Sequence, residues 1–254
     1  MLYPQSDGAP NSDWPIVCEC LANLKENSRV YLDIGCAVSF NISDEMMRDS
    51  VLTVLIEKRS NNIRDIKGID NPENIVLVHR TVTPDNIKEI IEENIGSQEI
   101  AFLDLDIDSY DFELLEAVLR IKKPYIIMAE TNEKIPYPIE FYVKYDHKWD
   151  YSHFFGMSFA SFCVLVQEDY DIVNLNANNV FAIRKDVNSG PSGLSHQEVY
   201  ENGYKNPRLN GQLCRFHYNA DVDHWLKLEP EEAIKQINAY FRQYQDKYYI
   251  GNNG

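Results

Sequence analysis

Three aspartates alternate with apolar residues in the segment AFLDLDIDSYD at positions 101–111, where they are Asp104, Asp106 and Asp108. Alternate side chains of a β-strand point to the same face, so the pattern places three carboxylates together. Burying three unpaired carboxylates in a sheet is costly, because each loses its hydration. We therefore expect the strand to end among them, at the edge of a sheet where a cation or a polar ligand is bound.

Two further acidic positions stand at the ends of predicted strands. The first strand runs into Asp33-Ile34-Gly35-Cys36, and the second ends at Glu57. A glycine lets the backbone turn tightly where a nucleoside-bearing ligand approaches. An acidic residue roughly 20 positions later is where ribose hydroxyls are commonly bound. An ordinary turn explains the glycine equally well, but the two features together are more specific than either alone.

Apolar segments alternate with amphipathic helices along most of the chain, which predicts an α/β fold with a mainly parallel sheet and helices on both faces. The seven predicted strands are 30–34, 52–57, 75–79, 100–106, 125–130, 171–175 and 180–184. The predicted helices are 14–24 (with Asp13 as its N-cap), 84–94, 112–119 and 154–166. Only four residues, 176–179, join the last two strands, so these should form an antiparallel hairpin at one edge.

Two segments lie outside this alternating order. Residues 1–186 are predicted to form the α/β domain, and 187–254 a C-terminal extension that ends in a helix from position 229 and serves as a lid or a dimer element. An aromatic-rich insert at 135–149 follows the fifth strand, where such inserts shape ligand pockets. Its rings either stack on a sugar or an aromatic ligand, or pack on one another as a surface loop; they are Tyr137, Tyr142, Tyr145 and Trp149.

Composition narrows the class of partner. The chain has 254 residues and a net charge of −16, which argues against nucleic acid and anionic membrane surfaces as partners. Apolar runs fall short of the roughly 20 residues that cross a bilayer, and the N-terminal residues do not resemble a signal peptide. Five cysteines give no disulfide framework. A reducing cytoplasm is the predicted location, with a small molecule as the partner.

The order of these motifs resembles a class I S-adenosylmethionine-dependent methyltransferase. Three stretches are similar to a narrower group, the FkbM-like and macrocin-type O-methyltransferases of small molecules and sugars. These are VTPDNIKEII at 82–91, FLDLDIDSYD at 102–111 and PYIIMAETN at 124–132. The resemblance covers about residues 28–186 and implies a Rossmann-like fold, S-adenosylmethionine as cofactor and a hydroxyl group as methyl acceptor.

The resemblance also implies roles for individual residues. The methionine part of the cofactor would lie beside Asp33, Gly35 and Cys36, its ribose beside Glu57, and the methyl-transfer pocket beside Asp104 or Asp106. Two positions depart from the family pattern. Ala37 and Val38 stand where a second glycine is usual, and Ser109 replaces a frequent glycine. The absence of the second glycine affects how the cofactor packs.

The carboxylates have two alternative uses. Macrocin-type members hold Mg²⁺ with an aspartate after strand four and acidic groups after strand five, which correspond here to Asp106, Glu130 and Asn132. These are oxygen ligands suited to a hard cation. Alternatively, Asp106 and Asp108 cap the following helix or contact the cofactor directly. Asp106 and Asp108 are also the candidate catalytic groups, with Asp108 best placed as the base and His153 as its alternative.

These observations predict an O-methyltransferase that acts on a small polar acceptor, a sugar or sugar nucleotide, and a homodimer where the tail serves as the dimer element. Two other functions stay open. A methyltransferase-like domain without cofactor would serve as a binding partner or scaffold. A nicotinamide-dependent oxidoreductase would use the same kind of sheet, although the chain lacks the G-x-G-x-x-G motif.

Overall fold

The computed structural model describes residues 13–26, 28–36, 50–62, 73–145, 150–190 and 192–252. Ala37, Val38 and Trp149, which the sequence singles out, lie outside the described residues.

A seven-stranded sheet forms the centre of the described structure. In chain order the strands are β1 (Val30–Ile34), β2 (Leu52–Glu57), β3 (Ile75–His79), β4 (Phe102–Leu105), β5 (Ile126–Glu130), β6 (Glu140–Val143), β7 (Tyr170–Asn176), β8 (Asn179–Arg184) and β9 (Tyr248–Gly251). The large sheet has the order β3-β2-β1-β4-β5-β8-β7. Strands β1 to β5 pair in parallel, whereas β8 is antiparallel to both β5 and β7. The predicted Rossmann-like α/β fold with its edge hairpin is confirmed.

Helices cover both faces of this sheet. They are α1 (Trp14–Ala22), α2 (Ile87–Asn94), α3 (Asp111–Ile121), α4 (Phe159–Val166), α5 (His196–Tyr200), α6 (Asn206–Leu209) and α7 (Pro230–Tyr240). Helix α1 buries Ile16 and Val17 against the face that carries Phe102. Helices α2, α3 and α4 pack on the opposite face, against Leu32 and Leu103. Within the described ranges, each helix is too short or too polar to cross a bilayer.

The start of helix α4 and the capping of helix α1 differ from the sequence prediction, and helix α2 begins at Ile87 rather than at 84. Helix α4 begins at Phe159 rather than at 154, because Ser158 is its N-cap and accepts a hydrogen bond from the Ser161 N–H. Asp13 occupies the predicted N-cap position of helix α1, but its side chain makes no capping hydrogen bond. Its carboxylate instead accepts hydrogen bonds of 2.7 and 2.8 Å from the side-chain amides of Asn176 and Asn179, and so ties the helix to the β7–β8 hairpin.

The aromatic insert and the C-terminal tail fold together. Strand β6 of the insert pairs antiparallel with β9 near the end of the chain. Around this pair lies a separate apolar core that includes Phe141, Phe154, Trp225 and Phe241. The insert is therefore built into a second small sheet rather than forming a free loop. The division of the chain at position 186, and a lid or dimer role for the tail, stay predictions.

Candidate functional site

The point where the chain reverses direction across the sheet lies beside β1. Strand β1 pairs in parallel with β2 on one side and with β4 on the other. In open α/β sheets, ligands bind in the crevice outside the carboxyl ends of the strands at such a point. A cavity of about 640 Å³, including its open mouth, lies there, and residues that follow β1, β2, β3 and β4 line it.

Gly35 closes the end of β1 against the end of β4. Its N–H donates a 3.0 Å hydrogen bond to the Ile56 carbonyl, and its φ is +97°. A Cβ at this position would collide with the carbonyl oxygen of Asp106. The glycine is therefore needed for the close approach of two backbone segments below the cavity. The sequence pattern explains this glycine by the close approach of a ligand, whereas in the structure it allows two backbone segments to approach each other.

Glu57 ends β2 with a buried carboxylate at the cavity wall. One carboxylate oxygen accepts a 2.6 Å hydrogen bond from the Arg59 N–H, and the other accepts a 3.0 Å bond from the Asn62 side-chain amide. The carboxylate thus fixes the loop that follows β2. Since each carboxylate oxygen accepts more than one hydrogen bond, it retains capacity for a ligand hydroxyl.

Asp33 and Asp104 stand side by side on the neighbouring strands β1 and β4, each only 2% exposed. Burial, followed by the charges of Asp106 and Glu57, raises the pKa of Asp33 to about 8. Within the described residues, Asp33 Oδ2 accepts no hydrogen bond. A buried carboxylate with an unused acceptor atom suits a ligand that brings a cation or a hydrogen-bond donor.

Three half-buried carboxylates converge at the carboxyl ends of β4 and β5. Asp106, Asp108 and Glu130 each place an oxygen within 4.8 Å of the other two. Strand β4 ends at Leu105, which confirms that the strand stops among the three aspartates. Burial, followed by the charge of Asp108, raises the pKa of Asp106, and burial with the charge of Asp106 does the same for Glu130.

Asp111 holds the loop that carries Asp108, a role that the sequence reading missed. Its two carboxylate oxygens accept 2.9 Å hydrogen bonds from the N–H groups of Ile107 and Ser109. The Gly156 N–H donates to the Ser109 carbonyl from the other side. Asp108 sits between these anchors with a φ of +57°, a conformation that its surroundings must maintain. The sequence signal that could have identified Asp111 is an acidic residue in the first turn of the helix that directly follows the aspartates.

Asn132, a predicted metal ligand, is committed elsewhere. Its amide donates to the backbone carbonyls of His153 and Phe155 at 2.9 and 2.8 Å, and its side-chain oxygen accepts from Lys134 Nζ at 3.0 Å. The carboxylates that the structure brings together are therefore Asp106, Glu130 and Asp108, with Asp108 in place of the amide.

Several predicted site residues are not among those that line the cavity, namely Asp33, Cys36, Asp104, Glu130, Asn132 and His153. His153 places Nε2 3.2 Å from Asp221 Oδ1, and burial lowers its pKa. Cys36 is buried against Leu55, and burial raises the pKa of its thiol. The structure thus offers Asp106 and Asp108 as groups that face a ligand, and places His153 in contact with the C-terminal tail.

The predicted aromatic residues differ in their relation to the cavity. Tyr137 packs beside Phe159, and Tyr142 is stacked on Phe112 with a ring separation of 3.9 Å. Tyr145 is 41% exposed and meets the ring of Tyr110 edge to face at 5.0 Å. Tyr110 lines the cavity and donates a hydrogen bond to the Val82 carbonyl. Tyr110 therefore forms the aromatic part of the cavity wall, and Tyr145 packs against its ring.

No protein-family model matches the sequence, and no curated protein does. Solved structures with a similar fold include a putative hemolysin from Streptococcus thermophilus (10% identity, 79% of this chain and 75% of that one, TM-score 0.46). Another is TrmK of M. capricolum with S-adenosyl-homocysteine, with 11% identity over 90% of this chain and 96% of that one and a TM-score of 0.45. A third is an S-adenosylmethionine-dependent methyltransferase from Clostridium acetobutylicum, with 12% identity over 71% of this chain and 91% of that one and a TM-score of 0.41. These likenesses concern the fold and carry no argument about chemistry.

The buried carboxyl groups predict how stability depends on pH. The pKa is raised from 3.8 to about 8 for Asp33 and to about 6 for Asp111, so both groups hold protons more tightly in the folded chain. Their contribution to stability is complete below about pH 4 and is lost as the pH rises through these two values. We expect the free energy of unfolding, measured by urea denaturation without ligand, to fall between about pH 4 and pH 8. Asp33→Asn should flatten the upper half of this decline, and a rise over the same range would contradict the raised pKa values.

Proposed function

We propose that the protein is an S-adenosylmethionine-dependent O-methyltransferase whose acceptor is a small polar molecule, a sugar or sugar nucleotide. The observation that carries the proposal is the set of carboxylates at the carboxyl ends of β1, β4 and β5. Asp33, Asp106, Asp108 and Glu130 have raised pKa values, and within the described residues none has a Lys or Arg nitrogen within 4.0 Å. Such a site favours a ligand that carries positive charge.

S-adenosylmethionine meets this requirement, because it carries a sulfonium and an ammonium group. A nicotinamide cofactor would instead bring an anionic diphosphate near the carboxyl groups of Asp106 and Asp108, which line the cavity. Gly35 and Glu57 border the same cavity, where the nucleoside part of either cofactor would lie. The carboxylates therefore support S-adenosylmethionine rather than a nicotinamide cofactor.

When bound, the cofactor supplies a methyl group whose carbon–sulfur bond breaks, with its electron pair going to sulfur, as the acceptor oxygen bonds to carbon. The chain has to orient the acceptor hydroxyl and remove its proton. Asp106 and Asp108 are the carboxylates that line the cavity after β4. Burial raises the pKa of both, which makes each a better proton acceptor near neutral pH than an ordinary aspartate.

A divalent cation is a second way to use the same carboxylates. The oxygens of Asp106, Asp108 and Glu130 form a donor set that fits Mg²⁺ or Mn²⁺, and a cation there would relieve the repulsion among them. If a cation is bound, we expect EDTA to abolish turnover and Mg²⁺ to restore it. We also expect Mn²⁺ to raise the melting temperature more at pH 8 than at pH 5. Full turnover in EDTA together with no thermal shift would exclude the cation. The carboxylates alone would then remove the proton.

Thermal-shift titration tests the cofactor. We expect millimolar S-adenosylhomocysteine to raise the melting temperature by several degrees, and NAD to leave it unchanged. Asp33→Asn and Glu57→Ala should weaken the response to S-adenosylhomocysteine. A protein that responds to NAD would be an oxidoreductase, and one that responds to neither would be a methyltransferase-like binding or scaffold domain.

A further inference from the structure

A buried ion pair follows strand β5, close to Glu130. Glu133 and Lys134 are each only 1% exposed, and Lys134 Nζ lies 3.7 Å from Glu133 Oε2. Such a pair is seldom the most stable way to fill a protein interior, because removing two charges from water often costs more than their attraction returns. Neither residue lines the ligand cavity. The pair therefore calls for a specific explanation.

The surroundings of Lys134 suit a charged ammonium group. Nζ donates a 3.0 Å hydrogen bond to Asn132 Oδ1 and lies 4.2 Å from the centre of the Phe155 ring, in addition to its contact with Glu133. An amide oxygen, a carboxylate and the face of an aromatic ring all attract a cation. Burial lowers the pKa of Lys134, and the charges of Glu133 and Glu130 oppose this effect.

The C-terminal tail supplies further partners of Glu133. Asn219 Nδ2 donates hydrogen bonds to Glu133 Oε1 and to the Tyr204 hydroxyl, and the Tyr200 hydroxyl donates a 2.8 Å bond to the Glu133 carbonyl. All three tail residues are buried. Tyr204 lies in a π-helical turn, Glu201–Lys205, and such turns are frequent at functional sites. The tail thus fixes the carboxylate that faces Lys134.

The other end of this network reaches the loop that carries Asp108. Asn132 holds the segment 153–157 by three hydrogen bonds to its backbone carbonyls, at 2.9, 2.8 and 2.6 Å. Within this segment, the Gly156 N–H donates a 2.8 Å bond to the Ser109 carbonyl, next to Asp108. Asp108 needs such support, because its φ of +57° is unfavourable for a residue with a side chain.

The charge of Lys134 explains how Asn132 is oriented. An ammonium group can only donate hydrogen bonds, so it draws the side-chain oxygen of Asn132 toward itself. The NH₂ group of the same side chain must then face the carbonyls of the segment 153–157, which can only accept. Without the ammonium group, the amide of Asn132 would be free to rotate and release this segment.

We propose that Glu133 and Lys134 are positioning residues, which together with Asn219 of the tail hold the Asp108 loop in the conformation required for proton removal. The role in catalysis rests on the proposed function. Both residues act through Asn132 and its hydrogen bonds, and not on the ligand itself. The C-terminal tail would then take part in the reaction as a support of the site, which is a different role from a lid or a dimer element.

Native-state hydrogen exchange tests the inference with the double variant Glu133→Gln/Lys134→Met. This variant removes both charges with little change in volume and keeps a hydrogen-bond acceptor for Asn219. Losing one partner alone would leave an unpaired buried charge and risk unfolding, whereas losing both is commonly tolerated. We expect the amides of Ser109 and Gly156 to exchange at least about tenfold faster, while the amides of β1 and β2 change less than about twofold.

Two further variants assign the effect. Lys123→Met/Asp169→Asn removes an ion pair from the surface, where the two side chains are 50% and 47% exposed, and should leave all these exchange rates unchanged. Asn219→Leu removes the tail's hydrogen bond to Glu133, and should speed exchange of the same two amides as the double variant does.

A displaced loop should also slow the reaction. With methyl glucoside as the acceptor probe, we expect the double variant to transfer methyl groups at least about tenfold more slowly, at an unchanged KM for S-adenosylmethionine. A support of the fold alone would not produce this combination. A rate equal to that of an active parent protein would overturn the catalytic role.

Two exchange results would overturn the inference. Unchanged exchange at Ser109 and Gly156 would separate the ion pair from the Asp108 loop. Equally faster exchange throughout β1 and β2 would make the pair a support of the whole fold. If the parent protein does not bind S-adenosylhomocysteine while the two amides still exchange faster in the double variant, the proposed cofactor is wrong and the hold on the Asp108 loop survives.

Discussion

Asp106→Asn is expected to lower methyl transfer by at least about 100-fold, the usual contribution of a positioned general base. The substitution keeps the shape of the side chain but removes the charge that neighbours Asp108 and Glu130. Since these carboxyl groups raise one another's pKa, the variant should be as stable as the parent protein at pH 8, or more so. Loss of activity with retained stability separates a functional carboxylate from a structural one.

The measurement combines initial rates of methyl transfer with urea denaturation at pH 8. Asp85→Asn is the matched control, because Asp85 is exposed and does not line the cavity. Its rate and stability should equal those of the parent protein. A full rate for Asp106→Asn would remove Asp106 from the reaction, and unfolding of this variant would show that the carboxylate holds the β4 end together.

Gly35→Ala is expected to destabilise the protein by about 3 kcal/mol, the sum of an unfavourable backbone conformation and a steric conflict. The added methyl group would meet the carbonyl oxygen of Asp106, a backbone atom that cannot rotate away. Movement of this carbonyl would also displace the carboxylates that follow β4. The cofactor response should therefore fall together with stability.

Gly211→Ala is the control for backbone conformation alone. Gly211 has a φ of +73°, yet a Cβ there would meet nothing within 4 Å. Its substitution should cost only about 1 kcal/mol. The two free energies of unfolding, measured by urea denaturation at one pH, should differ by about 2 kcal/mol. Equal losses at both positions would show that the contact between β1 and β4 is less tight than the structure has it.

The sheet could be predicted from the sequence because its signals are local. Strands β1, β2 and β3 occur at the predicted residues, since each is a continuous apolar run between polar turns. Strand β6 was missed, because its partner β9 lies more than 100 residues away along the chain. Aromatic residues in a loop do not reveal such a distant partner.

The candidate site was only partly predictable. The acidic strand ends indicate which side of the sheet carries the site, and Asp106 and Glu57 do line the cavity. Asp111 and Asn132 show the limit of this reasoning. Both are polar residues near the site, but one holds a loop and the other is saturated by hydrogen bonds. The role of each depends on backbone groups that only the fold brings within reach.

The most direct test of the central claim is a crystal structure of the protein with S-adenosylhomocysteine. We expect the adenosyl group beside Gly35 and Glu57, the ammonium group near Asp33, and the sulfur atom facing Asp106 and Asp108. Cofactor product bound at another surface, or a crevice filled by the protein's own side chains, would contradict it.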